Sequence, residues 1–400
     1  MDEQKLRAWW WHKQGLDGYL QGKPPAEVLE RAGWARSVGS ISPYLALFSR
    51  ARLSRNAADE AQAALQIHEL PAARGCTYVV PSAHFALALK AGREFRKAEE
   101  KVAAKLGVGE KEIDKLCGAV VKALAKGPLD PARIREATAG ASRSLGEEGK
   151  KKGLTTTLPV ALGRLQALGE IRRIPVDGQL MTQRYQYCLW RPNPLARFTL
   201  SLDEAYTELA RHYFRWIGPA TLADFQSFSG LGVKASQIAV APLSLVALEE
   251  GSGRLLLPDE KRQLLDYKPP AKPEYALLSS LDSIALYRRD IQSLIDRTGG
   301  AQTLLLEKQV KALGAVVAFP NHIILDRGCF VGLWEYDPDT KTIVWDAFGM
   351  RDKTLDAAIA TTEKYLREQM GDARSFTLDS PRSRAPRIEA LRKAAAASRA

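Results

Sequence analysis

The sequence has few cysteines and no long apolar runs. Its four cysteines are scattered and form no CxxC pair: Cys76, Cys117, Cys188 and Cys329. This pattern excludes a disulfide framework or a cysteine-based zinc site and fits a reduced compartment. Apolar stretches such as 238–248 are far shorter than the roughly 20 residues of a membrane helix. The N-terminus resembles neither a signal nor a transit peptide. We therefore expect a cytoplasmic protein without a membrane partner.

The sequence also lacks the short motifs of several large enzyme classes. It contains no Walker-type phosphate loop, no GxGxxG, no GxSxG and no HExxH. Kinases, dehydrogenases, serine hydrolases and zinc proteases therefore have no support. We expect no nucleotide cofactor, no other cofactor and no metal.

Positive charge is in excess. Lysine and arginine number 58 against 46 acidic residues, which gives a net charge of +12. A basic chain without a membrane helix most often meets polyanions, although many proteins are basic without binding nucleic acid. The position of the charge therefore decides how it is interpreted.

The middle of the chain shows the element order of a winged helix. Apolar residues recur with a helical period over 113–125, and Asp130 starts a second helix. A loop containing 150–152 leads to a third helix that begins near 155–157. Residues 170–190 then read as a β-hairpin. Three helices and a hairpin are typical of a winged helix, whose third helix reads the DNA groove.

The next segment repeats this plan. A helix over 203–217 ends at Gly218-Pro219, as the earlier helix ends at Gly127-Pro128, and shorter helices follow at 221–228 and 233–241. A second hairpin is predicted over 245–258. Such an internal repeat favours tandem domains.

The remaining segments complete an α+β architecture of tandem winged-helix (helix-turn-helix) units and a small antiparallel β-barrel or sheet. Short β-rich runs at 314–319, 322–326, 329–336 and 341–348 predict that sheet, with a final helix over 354–370. The predicted domains are 1–107 (a first, degenerate unit), 108–198 (second unit), 199–258 (third unit), 259–275 (a proline-rich linker), 276–378 (the β-rich domain) and 379–400 (a basic tail).

Charge separates the predicted units. Residues 127–200 hold 12 basic and 6 acidic side chains, whereas 201–258 hold 4 basic and 6 acidic ones. Because phosphate neutralisation dominates DNA affinity, we expect the first and second units to contact double-stranded DNA and the third to be scaffold. The candidate DNA-binding residues are Arg36, Arg50, Arg52, Lys150, Lys151, Lys152, Thr156, Thr157, Arg164, Arg172, Arg173 and Arg184.

Several passages resemble the AlkZ and YcaQ family of winged-helix DNA glycosylases. They are Ser42–Arg50 (SPYLALFSR), Arg74–Pro81 (RGCTYVVP), Tyr213–Gly230 with its Gly-Pro-Ala-Thr, Leu277–Arg289 and Asp326–Trp334. The resemblance runs in order along about residues 5–350. It implies three tandem winged helices with a β-barrel, and removal of alkylated or crosslinked purines from DNA.

One family feature is missing. The family places a Gln-apolar-Gln or Gln-apolar-Asp motif shortly before the Ser-Pro-Tyr segment, whereas residues 31–58 contain no Gln, Asp or Glu. The corresponding positions read Ala32–Trp34 or Arg36–Val38. A group that positions water must then come from elsewhere, since glycosidic cleavage needs one. The candidates are Ser37, Ser40, Ser42, His68, Glu69 and His84.

Two functions remain open at this point. The first is a glycosylase acting on alkylated purines, and the second is a non-catalytic winged-helix DNA-binding protein that regulates or senses damage. The chain-wide resemblance favours the first and the missing motif favours the second. For either function we expect a monomer.

Overall fold

The computed structural model describes residues 1–296, 303–306, 309–312, 316–319, 321–348 and 350–398. Helices and short antiparallel sheets make up a mixed α+β fold. In the described part of the chain, no helix combines the length and the apolar character that a membrane span requires.

The N-terminal region contains a small sheet between helices. Its elements are α1 (Glu3–Lys13), α2 (Pro25–Ala32), β1 (Ala35–Arg36), α3 (Ser42–Ala51), α4 (Arg55–Ala63), β2 (Ile67–Pro71), β3 (Thr77–Pro81) and α5 (Phe85–Lys105). The strand order is β1-β3-β2, with all pairs antiparallel. The central strand β3 therefore places the residues of β1 and β2 on either side of it.

The second region matches the predicted hairpin but has an additional helix. Its elements are α6 (Glu110–Leu124), α7 (Pro131–Ala137), α8 (Gly146–Lys151), α9 (Leu158–Ala167), β4 (Ile171–Pro175) and β5 (Tyr185–Leu189). The predicted lysine loop is wrong, because Lys150 and Lys151 end α8 and Lys152 is its C-cap. Glu147 and Glu148 in the first turn of α8 favour that helix by complementing its dipole.

The third region follows the predicted order closely. Its elements are α10 (Leu202–Ile217), β6 (Ala220–Thr221), α11 (Leu222–Ser229), α12 (Val233–Val240), β7 (Val246–Ala247) and β8 (Arg254–Leu256). Thr221 and Asp224 form a capping box at α11, and Ser201 and Glu204 form one at α10. The strand order β6-β8-β7 repeats the order β1-β3-β2 of the first region.

The C-terminal region is built on a four-stranded antiparallel sheet of order β14-β13-β12-β9. Its elements are α13 (Pro258–Asp266), β9 (Tyr275–Leu278), α14 (Ser283–Leu286), β10 (Thr303–Leu306), β11 (Gln309–Ala312), β12 (His322–Asp326), β13 (Cys329–Asp337), β14 (Thr342–Asp346), α15 (Lys353–Tyr365) and α16 (Pro381–Ala397). The strands β10 and β11 pair with each other. The predicted runs at 322–326, 329–336 and 341–348 and the final helix are thus present.

The structure adds detail to three predictions about this region. The expected linker is helical in its first part, where Leu264 of α13 is buried. The basic tail is also helical, because Ile388 and Leu391 of α16 pack inward and its arginines meet acidic partners. For the predicted strand 314–319, residues 314 and 315 lie outside the described part of the chain, and 316–319 form no strand.

The tryptophans of α1 join distant parts of the chain. Trp9, Trp10 and Trp11 are all buried, and each indole N–H has an acceptor. The first two donate to the carbonyls of Gly218 and Pro219. Core packing, rather than stacking on exposed bases, therefore explains all three, and α1 contributes to one core with the third and C-terminal regions.

A buried ion pair lies where the regions meet. Arg50 of α3 donates to both carboxylate oxygens of Asp282 at 2.8 and 2.7 Å, and to Gln14 Oε1 at 3.0 Å. Gln14 in turn donates to the carbonyl of Trp216 in α10 at 2.9 Å. The network therefore fixes α3 relative to the end of α1, to α10 and to the start of α14.

Candidate active site

Ser37 and Glu69 meet on one face of the first sheet. Ala35 and Glu69 both pair with Val79 of β3, and Ser37 lies two residues after Ala35. Side chains two residues apart on a strand share a face, so Ser37 and Glu69 point the same way. The Ser37 hydroxyl donates to Glu69 Oε1 at 2.8 Å, and its N–H donates to the carbonyl of Thr77. The structure thus unites two of the six predicted catalytic candidates.

The second region contributes a positive charge to this pair. Arg173 of β4 has a guanidinium nitrogen 3.9 Å from Glu69 Oε2, and its guanidinium lies 4.8 Å from the ring centre of Tyr185. The Glu69 side chain retains 18% exposure, whereas Ser37 is buried. The Glu69 side chain is therefore more accessible to solvent than Ser37, and the site spans the first and second regions.

The turn after Ser37 is closely packed. Gly39 has a φ of +65°, and a Cβ there would lie 2.3 Å from Thr377 Oγ1 and 2.5 Å from Gln183 Nε2. Thr377 donates its N–H and its hydroxyl to the carbonyl of Val38 at 3.0 and 2.5 Å. Thr377 and Gln183 thus border the site. No local sequence signal marks them, because both come from distant parts of the chain.

The other two serines are structural. Ser40 and Ser42 are buried where the chain enters α3, and the Ser40 hydroxyl accepts from the N–H of Ser42 at 3.3 Å. The Ser42 hydroxyl has no hydrogen-bond partner among the described residues. Neither serine reaches a carboxylate, so Ser37 alone of the three is placed for chemistry.

His68 is a core residue. It precedes Glu69 on β2 and so points to the opposite face, where its ring makes edge contacts with Phe85 and Trp190. Neither ring nitrogen has a partner among the described residues. Burial, together with the charges of Arg172 and Arg173, lowers the pKa of His68 to about 3. The expectation that His68 activates water is therefore wrong.

His84 is also remote from this chemistry. Its Nδ1 accepts a hydrogen bond from Trp34 Nε1 at 3.1 Å, and its ring centre lies 4.1 Å from that of His212. Burial, with a smaller contribution from His212, lowers the pKa of His84 to about 3. His84 thus joins α5 to α10 as a neutral packing residue.

The arginines predicted for DNA in the first region differ in accessibility. Arg50 is buried in its pair with Asp282, which does not fit a phosphate contact. Arg36 donates to the Thr77 carbonyl and lies over the ring of Tyr78. Arg52 is exposed, with its guanidinium 5.0 Å from the ring centre of Phe48. Arg36 and Arg52 thus remain candidates.

The predicted third helix of the second region corresponds to α9, which is not exposed as a groove-reading helix would be. Most of α9 is buried, because its apolar residues pack on α5 and α6. Thr157 is buried, and Thr156 is half-buried in a bridge to Ser144. Arg164 pairs with Glu100 and Asp114 at 2.8 and 2.7 Å. A groove-reading role for α9, Thr157 and Arg164 therefore conflicts with their burial and pairing.

The other basic candidates in this region lie nearer to solvent. Lys150 and Lys151 are exposed and pair with glutamates one helical turn earlier, and Lys152 and Arg184 are exposed. Arg172 is half-buried on β4. Exposed ion pairs contribute little to stability, so these lysines remain free to exchange a glutamate for a phosphate.

In the third region, helix α12 is exposed to solvent. Val233 and Ile238 of α12 are 62% and 49% exposed, and Lys234 is also exposed. The expectation that this region is only scaffold came from its net charge. Exposure instead makes α12 more accessible to a partner than α9.

In the described residues, no group of three or more His, Cys, Asp or Glu side chains is placed to hold a metal ion.

Comparisons with known proteins match the chain to a protein family and to solved structures. A family model described as "DNA glycosylase AlkZ-like" matches residues 31–376. Among solved structures, Streptomyces sahachiroi DNA glycosylase AlkZ is similar, with a TM-score of 0.67 and 16% identity over 94% of this chain and 98% of that chain. At that identity the likeness shows the fold alone. No curated protein sequence matches the chain.

The pKa of His68 predicts how stability depends on pH. An unfolded histidine takes up a proton near pH 6.5, whereas folded His68 does so only near pH 3. The stabilisation is therefore complete above pH 6.5 and is lost as pH falls towards 3. His68→Leu should reduce the slope of the free energy of unfolding in that window by up to about 1.4 kcal/mol per pH unit.

Denaturant unfolding at several pH values between 7 and 4 measures this slope. Phe85→Leu is the matched control, because it alters the same aromatic cluster without removing a titrating group. A His68→Leu slope equal to that of the wild type would contradict the assignment.

Proposed function

Because this chain belongs to the AlkZ-like DNA glycosylase family, we propose that it binds double-stranded DNA and hydrolyses the N-glycosidic bond of alkylated purines. The observation that carries the proposal is the hydrogen bond from Ser37 to Glu69 at 2.8 Å. It brings a carboxylate from β2 to the segment that, in family members, supplies its own carboxamide or carboxylate. Glu69 is thus the group proposed to replace the missing motif.

Glu69 would act on the water that attacks C1′ of the deoxyribose. The water oxygen bonds to C1′, the bond from C1′ to the purine nitrogen breaks, and the water proton passes to Glu69. The transition state carries positive charge on the sugar, which the carboxylate stabilises and the nearby Arg173 opposes. The Ser37 hydroxyl orients Glu69 by donating to Oε1, which leaves Oε2 on the Arg173 side.

The proposed substrate class follows from the placement of the two candidate histidines, neither of which is available as a general acid beside Glu69. His68 points away from the pair, and His84 is a neutral packing residue whose Nδ1 is held by Trp34. A purine alkylated at N7 or N3 is already cationic, and it becomes neutral when it leaves with the bond electrons. We therefore propose cationic alkylpurines as substrates and expect neutral lesions to be inert.

Winged-helix architecture is the second part of the proposal. The order helix, strand, helix, helix, strand, strand occurs in α2 to β3 and again in α10 to β8, with the same strand order. In the second region the bridge between Leu129 and Tyr187 takes the place of the first strand. This repetition supports three winged-helix units, with DNA approaching the face that carries Glu69.

The proposal also assigns the phosphate contacts. Lys150–Lys152 and Arg184 are exposed in the second region, as Arg52 is in the first. We propose that they neutralise phosphates along the duplex. We assign sequence-independent contacts to these residues rather than groove reading to α9.

The alternative function is damage binding without catalysis. The observation that favours it is the burial of the Ser37 hydroxyl together with the lack of Gln, Asp or Glu in 31–58. Both functions share DNA binding, so only base release separates them.

Substitution of Glu69 tests the chemistry. Glu69→Gln should slow release of N7-methylguanine from duplex DNA by roughly 10²–10⁴-fold, because it removes the general base. Ser37→Ala should slow release less, because it removes only a positioning hydrogen bond. Single-turnover assays that measure the freed base give both rates.

Glu60→Gln is the matched control, since Glu60 is exposed on α4 of the same region. Base release by Glu69→Gln at the wild-type rate would exclude Glu69 as the base. No release by the wild type, with tight binding of the alkylated duplex, would favour the non-catalytic alternative.

The lysines of α8 test the binding face. Replacing Lys150, Lys151 and Lys152 by Ala should flatten the dependence of log affinity on log salt by about 0.9 for each phosphate that is no longer neutralised. A triple change of Arg262, Lys268 and Lys272 to Ala removes as much charge from an exposed segment outside the proposed face. Salt titrations of duplex binding that give equal slopes for both triple variants would contradict the assignment.

A further inference from the structure

A cavity of about 830 Å³ lies away from the Ser37–Glu69 pair. It is enclosed by the N-terminal turn of α1, by β6 with the start of α11, and by the segment after α14. Arg7, Trp10, Thr221, Arg254 and Arg288 are among its lining residues. Its volume falls within the range of about 300–1,000 Å³ that small-molecule sites occupy.

Arg288 is a buried cation whose side chain forms no hydrogen bond with a carboxylate among the described residues. It is only 6% exposed, its Nε donates to the carbonyl of Ile284 at 3.0 Å, and its guanidinium stacks 3.6 Å from the ring centre of Trp10. Among the described residues, its Nη2 has no hydrogen-bond partner. Asp224 and Asp290 act on Arg288 through their charges, but burial outweighs them and lowers the pKa of Arg288 to about 10. Burying an unpaired charge is costly, so such a group calls for an anion. Arg50 is also buried, but it forms an ion pair with Asp282.

A second arginine has a free donor in the same cavity. Arg7 is also 6% exposed, and its Nε has no partner among the described residues. Arg289, which follows Arg288 in the sequence, also lines the cavity and is exposed to solvent. The cavity therefore has two buried guanidinium groups that each carry an unpartnered N–H donor, and a third guanidinium group that is exposed. Such a set of donors can bind phosphate oxygens.

The acidic residues that also line the cavity are engaged elsewhere. Asp2 caps α1, Glu3 pairs with Arg254, and Asp224 belongs to the capping box of α11 and accepts from the N–H of Arg289. Asp290 accepts from the N–H of Gln292, and Asp296 also has an interaction of its own. These acids form local hydrogen bonds, and the charges of Asp224 and Asp290 offset the burial of Arg288 only in part. Arg288 Nη2 and Arg7 Nε have no hydrogen-bond partner among the described residues.

We propose that this cavity binds the phosphate group of an anionic ligand, with Arg288 and Arg7 as its donors. Two sources share this chemistry: a small phosphorylated molecule and the 5′-phosphate of a nucleic acid strand. The site is independent of the proposed glycosylase activity, since it shares no residue with the Ser37–Glu69 pair.

Thermal unfolding and calorimetric titration of the full-length protein test the proposal. The probes are inorganic phosphate, adenosine monophosphate, and one oligonucleotide with either a 5′-phosphate or a 5′-hydroxyl group. We expect phosphate to raise the Tm and to bind with measurable heat. We also expect Arg288→Met to weaken binding at least tenfold. A preference for the monophosphate identifies a small molecule as the ligand, and a preference for the 5′-phosphorylated strand identifies a strand end.

Arg288→Met also has an expected effect without ligand. Because it removes a buried charge that the nearby carboxylates offset only in part, its Tm without phosphate should equal or exceed that of the wild type. Arg262→Met, on an exposed arginine outside the cavity, is the control and should bind phosphate as the wild type does. The proposal is overturned if millimolar phosphate gives the wild type neither heat nor a Tm rise, or if Arg288→Met binds phosphate as tightly as the wild type.

Discussion

The buried pair of Arg50 and Asp282 is the constraint on which the arrangement of the regions depends. Through Gln14 and the carbonyl of Trp216 it links α1, α3, α10 and α14, which are far apart in sequence. Breaking such a pair costs about 3–5 kcal/mol because one charge stays buried and unpaired. Since α3 begins just after the turn at Gly39, this network also fixes the segment that carries Ser37.

The site contains a carboxylate although its own segment has none. The strand order β1-β3-β2 places Glu69 across the sheet from Ser37, and the second region brings Arg173 to the same carboxylate. A carboxylate can therefore reach this segment from the far side of the sheet, although residues 31–58 contain no Gln, Asp or Glu. This route is the basis of the proposed chemistry.

The sequence predicted local elements better than contacts. The repeat in 203–256 was predictable because Gly218-Pro219, Thr221 and the helical periods are local signals. The burial of α9 was not predictable from the sequence. It depends on packing against α5, a helix of another region, and no local feature of residues 158–167 indicates that contact. For the same reason the positive charge of Arg164 suggested a DNA contact, although Arg164 forms ion pairs with Glu100 and Asp114. Ser37 and Glu69 were both identifiable as candidates, but their pairing depends on the register of the sheet.

The central claim is that Glu69 stabilises positive charge on the sugar, and a stable mimic of that charge tests it most directly. A duplex with a pyrrolidine ring in place of one deoxyribose carries a cation there, whereas a tetrahydrofuran ring at the same position is neutral. We predict that the wild type binds the pyrrolidine duplex more tightly than the tetrahydrofuran duplex and that Glu69→Gln loses this preference. Equal affinity of the wild type for the two duplexes would contradict the account.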